Sequence, residues 1–345
     1  MNFRFLLLPF SLIYGFVIFI RNRCYDLGVL KVNKFSLPLI GVGNITTGGT
    51  GKTPHIEYLI NLLSPASKVA TLSRGYGRKT NGFAYAEKNS FASEVGDEPL
   101  QLKNKVPAIG VAVCENRKTG IEKILKDEPE TKVVLLDDAF QHRAVNPSLS
   151  ILLLEYSKIF KSDFLLPAGN LREPFSAKKR ADIIVVSKYP LNLSDEEREK
   201  IILKIAPDSN QKLFFSGIVY NNLHPVFESN DQLPQTNASC LLVTGIADAS
   251  GIKQHCELNT KLFRHLEFAD HHAFSGADIR NIIKIFSTIA AENKIIITTE
   301  KDAMRLKVFG ELNNLPLYYL PVSVKFLDKD EQSFNQLILQ HVGKN

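Results

Sequence analysis

The chain has no tryptophan, two methionines and four cysteines in 345 residues. Cys24, Cys114, Cys240 and Cys256 form no CxxC pair. That excludes a clustered zinc site or a disulfide framework and points to a reducing compartment. No sign of charge dominates: Lys+Arg 42 against Asp+Glu 36 leaves +6, too little to argue for a nucleic-acid partner. Repeats of solenoid period and low-complexity tracts are absent. Hydrophobic residues at 44% and charged residues at 23% exclude a disordered chain, a collagen-like fibre and a multi-span membrane protein. The length suits two domains or one large one.

The average hides one uneven feature. Residues 5–20, FLLLPFSLIYGFVIFI, are almost wholly apolar. As a helix these residues rise about 24 Å, short of the roughly 30 Å hydrocarbon core. Pro9 is expected in the first turn of the main helix, because it has no N–H to donate further in. Ser11, Tyr14 and Gly15, spaced i, i+3, i+4, share a face. NRCYDLG has no small-x-small cleavage site and no small residue before Cys24, which argues against secretory and lipoprotein signals. A buried core helix is the competing reading. The favoured one is a helix lying in, or dipping into, one leaflet, with Arg4, Arg21 and Arg23 at anionic headgroups.

Short Val/Ile/Leu-rich runs recur at Leu39–Gly43, Lys68–Leu72, Ala108–Val113, Val133–Leu136, Ile151–Leu154 and Ile183–Ser187. Continuous apolar strands alternating with helical segments predict a parallel sheet covered on both faces. Ser194-Asp195-Glu196-Glu197 has capping-box form and starts a helix. Polar and loop-rich texture around 206–235, broken by LFFSGIVY, reads as a strand linker. A second βα series then runs through Leu241–Thr244, Lys294–Thr298 and Leu317–Val322. The expected division is an N-terminal membrane-associated helix (1–25), a P-loop domain (26–210), a strand linker (211–235) and a smaller C-terminal α/β domain (236–345).

After the first strand comes Thr46-Thr47-Gly48-Gly49-Thr50-Gly51-Lys52-Thr53. It fits GxxxxGK[ST] except that Thr46 replaces the first glycine. Glycines let successive N–H groups converge on phosphate oxygens, and the next helix points its positive end at the same anion. Lys52 reaches the β/γ-phosphates and the Thr53 hydroxyl suits Mg²⁺. A strand-to-helix setting separates this loop from a chance glycine turn. Asp137 and Asp138 end another strand; adjacent carboxylates repel unless a cation relieves them, so they are Mg²⁺ candidates, helix capping being the alternative.

LLDDAFQHR (Leu135–Arg143) resembles the DDGFQHR signature of the tetraacyldisaccharide 4′-kinases, the lipid A 4′-kinases, with Ala139 where glycine is more usual. In order, GNITTGGTGKTP, SRGYGRK, GDEP, LLPAGNLREP, FADHH and TTEKDAMRL agree as well. PFSLIYG is similar to that family's opening helix, so the resemblance covers nearly the whole chain. It implies a P-loop α/β domain with a smaller C-terminal α/β domain, and transfer of the γ-phosphate of ATP to the 4′-hydroxyl of an acylated glucosamine disaccharide 1-phosphate. The implied place is the cytoplasmic face of a Gram-negative inner membrane, against anionic lipid and with no obligate protein partner.

Residue roles follow by the same resemblance. Asp97 matches the catalytic Asp, and His271 the histidine that pairs with it; the adjacent His272 leaves that pairing open. Glu173 and Arg172 resemble active-site residues, for Mg²⁺ and phosphate charge respectively, an ordinary ion pair being the alternative. Arg117 sits near the place of a phosphate-contacting arginine. Gln141 and His142 either line the cleft or lie behind it. Read from the residues themselves, Arg74, Tyr76 and Arg78 suit an acidic sugar phosphate. Lys301 and Asp302 either face the nucleotide or only stabilise their domain. The rival functional reading is a membrane-associated P-loop ATPase or GTPase switch acting on a protein partner, although no NKxD tetrad is evident.

Overall fold

The computed structural model describes residues 3–161, 163–227 and 237–343. Helix α1 spans Leu8–Asp26 after a 3₁₀ turn at Phe3–Leu7, with Pro9 in its first turn. Next come β1 (Leu39–Asn44), α2 (Lys52–Leu63), β2 (Val69–Ser73), β3 (Ala84–Tyr85), α3 (Ala92–Val95), α4 (Asp97–Lys105), β4 (Gly110–Val113) and α5 (Arg117–Asp127). The chain continues with β5 (Val133–Asp137), β6 (Leu149–Glu155), α6 (Tyr156–Ile159), β7 (Ile183–Ser187), α7 (Asp195–Ile205) and β8 (Lys212–Tyr220). The rest is β9 (His224–Pro225), β10 (Ser239–Thr244), α8 (Ser250–Asn259), β11 (Lys261–Glu267), α9 (Gly276–Ser287), β12 (Lys294–Thr299), α10 (Glu300–Leu306), β13 (Leu317–Leu320), β14 (Val322–Phe326) and α11 (Asp328–Gly343).

The expected parallel sheet is present. Nine strands run in the order β14-β8-β7-β6-β1-β5-β2-β4-β3, with antiparallel pairing only at the two edges. All six residues of β1 are buried. Alternate side chains serve opposite faces: Ile40 and Val42 join the core under α2, while Leu39 joins the core under α5. A second sheet, β11-β10-β12-β13-β9, is parallel except at β9. Ser194 caps α7 through the amide of Glu197.

Sheet membership differs from the division expected on local texture. The strand β8, in the expected linker, pairs in parallel with β7 and extends the first sheet. From the expected C-terminal domain, β14 returns to pair with β8, Phe326 opposite Ser216. Behind it α11 docks on the first core: Phe334 stacks on Phe326 with ring centroids 4.3 Å apart, and Ile338 is fully buried. Each such side chain contributes about 1.5–3 kcal/mol of burial. Pairing across about a hundred residues leaves no mark in local composition, so texture alone misplaced both strands. Residues 228–236 of the expected linker lie outside the described residues.

One close approach sets the spacing next to the phosphate loop. A Cβ at Gly43 would sit 2.6 Å from the Cβ of Phe140 and 2.7 Å from its amide nitrogen. Gly43→Ala is therefore expected to destabilise the protein by about 1–3 kcal/mol through overpacking against backbone, read as a lowered urea midpoint with unchanged slope.

Candidate active site

The site lies at the carboxyl ends of the parallel strands, where open α/β sheets bind ligands. The loop after β1 curls with Gly48 at φ +94° and Gly51 at φ +83°, conformations that strain any side-chain-bearing residue. Inside it the buried Asn44 amide donates to the Thr50 hydroxyl at 2.8 Å. From outside, the Thr47 amide donates to the Asn170 carbonyl at 2.8 Å and Thr46 bridges to Leu171, away from the cleft lining. Gly51 caps α2, so the amides of Lys52 and Thr53 open the helix beside the loop.

Lys52 and Thr53 line a cleft of about 1340 Å³ between the two sheets, together with Gly48, Gly49, Thr50 and Gly51. Asp137 and Asp138 lie opposite. Lys52 Nζ is 3.4 Å from Asp138 Oδ1, and Arg172 Nη1 holds both Asp138 oxygens at 3.0 and 2.8 Å. Burial pushes Asp138 up, but Lys52 and Arg172 outweigh it and hold the carboxyl below its ordinary range. Asp137 is pushed up to about 7, chiefly by burial, with Glu98 and Asp138 adding to it. A hydroxyl and two carboxylates of opposed tendency match the oxygen donor set that Mg²⁺ takes alongside phosphate.

A second group crosses between the sheets. Asp97 begins α4 and is buried. Its Oδ2 meets His271 Nδ1 at 3.1 Å and Arg305 Nε at 3.1 Å, with a further bond from Arg305 Nη2. His271, at φ +57°, also meets Lys301 Nζ through Nε2 at 2.8 Å. His272 turns away to Asp278 at 3.1 Å and stacks on Phe268. Geometry thus pairs Asp97 with His271. Lys301 contacts that pair, and Asp302 supports the domain behind it, accepting from the Gly245 amide at 2.9 Å.

Three expected residues sit elsewhere than expected. Glu173 is fully buried outside the cleft lining, held by Arg180 at 2.8 and 3.0 Å and by Asn22 of α1 at 3.0 Å. With its oxygens committed there, it is a brace between α1 and the sheet and does not organise Mg²⁺. Glu173→Ala is expected to destabilise the protein by about 2–3 kcal/mol, since it leaves Arg180 without its carboxylate partner; a urea denaturation series measures this. Arg117 is buried behind the strand end, donating to the carbonyls of Cys114 at 3.0 Å and Asp137 at 2.7 Å. It props the backbone of Asp137 instead of reaching a phosphate. Arg78 is spent on Glu115 and the Gly82 carbonyl, whereas Arg74 and Tyr76 do line the cleft.

Gln141 and His142 line the cleft, and Gln141 donates to the Asn44 carbonyl at 2.8 Å. Burial, helped by Arg117, holds His142 down at about 4, so it is neutral near pH 7. Sequence reasoning missed Arg305. Its signal was present: in KDAMR it stands four residues after Lys301, on the same face of one helical turn.

Helix α1 borders this region. Ser11 accepts from the Ala168 amide and donates to the Leu165 carbonyl, both at 2.9 Å, and Tyr14 donates to the Arg172 carbonyl at 3.0 Å. The Ser11–Tyr14–Gly15 face is thus the protein-facing one. Phe10, Leu12, Ile13, Phe16, Val17 and Phe19 are exposed. Arg4 donates to the carbonyls of Pro167 and Gly169 and Arg21 to that of Gln141, while Arg4 and Arg23 stay exposed.

A glycine loop between a buried strand and a helix, faced by carboxylates on the neighbouring strand, defines a P-loop nucleotide-binding protein of the α/β class. The family described as tetraacyldisaccharide-1-P 4′-kinase matches residues 3–343. Relatives named tetraacyldisaccharide 4′-kinase include one from Bacteroides thetaiotaomicron, 44% identical over 98% of this chain and 93% of its own. Another, from Flavobacterium johnsoniae, is 43% identical over 99% of this chain and 97% of its own. The crystal structure of an Aquifex aeolicus LpxK, described as an "apo" form in complex with ATP, superposes with TM-score 0.75 at 30% identity, covering 98% and 99% of the two chains. The chain belongs to the tetraacyldisaccharide 4′-kinase family.

Proposed function

We propose that this enzyme transfers the γ-phosphate of ATP to the 4′-hydroxyl of a tetraacyldisaccharide 1-phosphate, giving the bis-phosphorylated lipid A precursor. One observation carries the reading beyond family membership. The phosphate loop and the Asp97–His271 pair face one cleft, beside a helix with an exposed apolar surface. The switch reading has no use for a carboxylate–histidine pair at that place.

Phosphoryl transfer is mostly positioning and charge stabilisation. Amides of the loop and Lys52 hold the β- and γ-phosphates; Arg172, once released from Asp138, offsets developing charge. Thr53, Asp137 and Asp138 would hold Mg²⁺, whose role is to neutralise the phosphate oxygens. Asp97 takes the proton of the acceptor hydroxyl, a weak nucleophile on its own. Arg74 and Tyr76 face the same cleft and suit a phosphorylated sugar. Residues 5–20 sit at the inner-membrane surface, on the cytoplasmic side, where the acyl chains of the substrate remain.

Detergent-solubilised protein given ATP, Mg²⁺ and tetraacyldisaccharide 1-phosphate should yield a product heavier by one phosphate group. No transfer, under conditions in which a relative of known activity works, overturns the reading.

A further inference from the structure

Helix α10 belongs to the second sheet's half of the molecule, yet two of its side chains end on the carboxylate and imidazole that face the phosphate loop. We propose that α10 is a two-cation clamp on the Asp97–His271 pair: Arg305 grips the carboxylate, Lys301 sets the imidazole tautomer, and both are positioning residues for transfer. The proposal rests on the kinase reading above and assigns to that reaction two residues that act through Asp97 and His271.

Donor chemistry fixes the tautomer. A lysine ammonium only donates. At 2.8 Å from Lys301 Nζ, His271 Nε2 must therefore accept, leaving the proton on Nδ1. Nδ1–H then donates to Asp97 Oδ2 at 3.1 Å. His271 in this form is a donor that orients the carboxylate; the acceptor's proton goes to Asp97 itself. Arg305 adds two bonds to the same Oδ2. Among the described residues Oδ1 receives only the Glu98 amide, at 3.0 Å, and is the oxygen left to meet a hydroxyl.

The clamp is itself anchored. Arg305 Nη1 donates to the Gly245 carbonyl at 3.2 Å and to Asp302 Oδ1 at 3.0 Å. The His271 amide donates to the same Gly245 carbonyl at 3.1 Å. Gly245 thus ties the strand end, the histidine loop and α10 into one body that presents both cations together. A Cβ at Gly245 would lie 3.0 Å from Asp302 Oδ1, so the fit is close.

The surrounding charges define the pH consequence. Glu98 of α4 and Asp270 of the histidine loop lie 3.4 and 3.5 Å from Lys301, Asp302 backs Arg305, and the Tyr76 ring packs 4.9 Å from that of His271. Burial raises the Asp97 carboxyl, but the His271 bond, Lys301 and Arg305 outweigh it and hold the group well below the usual carboxylate range. A base so held stays ionised at mildly acid pH. Removing one cation within 4–6 Å returns about one unit or more of that shift.

The test is the pH profile of kcat/KM for the unaltered enzyme, Arg305→Met, Arg305→Lys and Lys301→Met. The unaltered enzyme should show no acid limb from Asp97 above about pH 5. For Arg305→Met the limb should move up by about one unit or more, toward the ordinary carboxylate range, with ATP affinity unchanged. Arg305→Lys should recover part of that shift. Lys301→Met should lower kcat about tenfold with little change in KM for ATP, because Nε2 then loses the donor that helps hold the ring against Asp97. Equal loss at every pH, or an unmoved limb in Arg305→Met, overturns the clamp. Should that variant not fold, Arg305→Gln takes its place, and an unmoved Asp97 midpoint there overturns the clamp. Carboxyl-carbon NMR titration of Asp97 in the ATP complex reads the clamp without turnover: its midpoint should rise in Arg305→Met, and an unmoved midpoint refutes the proposal. Normal transfer by the unaltered enzyme with flat variant profiles would sink the clamp alone, whereas absence of transfer by the unaltered enzyme would sink the kinase reading.

Discussion

Asp97→Asn is expected to lower kcat for phosphate transfer by about 10²–10⁴-fold and to leave ATP binding nearly unchanged. Asparagine keeps the size and the place at the start of α4, and its amide oxygen still accepts from Arg305 and His271. What it loses is the ability to take a proton at the oxygen facing the cleft. The phosphate loop lies on a different strand and helix, so the binding energy for ATP has no direct route through this substitution. Single-turnover transfer and equilibrium ATP binding, measured on the same preparation, separate the two effects. Full transfer by the variant would remove Asp97 from the mechanism. A matching loss of ATP affinity would make it a structural group of the cleft.

Lys52→Ala is the second large effect. Lys52 is 13% exposed and stands 3.4 Å from Asp138, so its ammonium serves both the ligand and the acid pair. Its loss removes charge stabilisation where negative charge builds on the transferred group, and about 10²–10³-fold in kcat is the expected cost. KM for ATP should rise as well, because the ground-state phosphates also lose a partner. Asp138 keeps Arg172, so the carboxylate is not stranded and the fold should hold. Steady-state kinetics with near-normal thermal stability is the expected combination; unchanged kcat would move the phosphate-charge role to Arg172.

Much of this site was legible from residues alone, and the reasons differ from one residue to the next. Glycine spacing in TTGGTGKT reports a backbone path, and a backbone path is local; the loop appeared where expected. Asp137 and Asp138 were legible because two adjacent carboxylates at a strand end need an external reason. Pairing of Asp97 with His271, 174 positions apart, has no local trace and was reached through resemblance. Glu173 shows the opposite limit. A motif places it near the chemistry, but only packing reveals that Arg180 and Asn22 already use its oxygens. Arg305 was overlooked because an arginine on a short helix reads as a solvated face until the partner carboxylate is known.

The return of β14 and α11 to the first sheet bears on how this molecule comes into being. During synthesis, residues 322–343 follow β8 by about a hundred positions. Until they emerge, the edge of β8 has no partner and the inner face of the phosphate-loop helix lacks Phe326, Phe334 and Ile338. Tyr58 of that helix likewise lacks its acceptors Glu331 and Asn335. A nascent chain therefore carries its complete nucleotide loop sequence well before it has the core that would hold the loop rigid. The core behind the nucleotide loop is thus completed by the last segment to be made, and until then the β8 edge stays open.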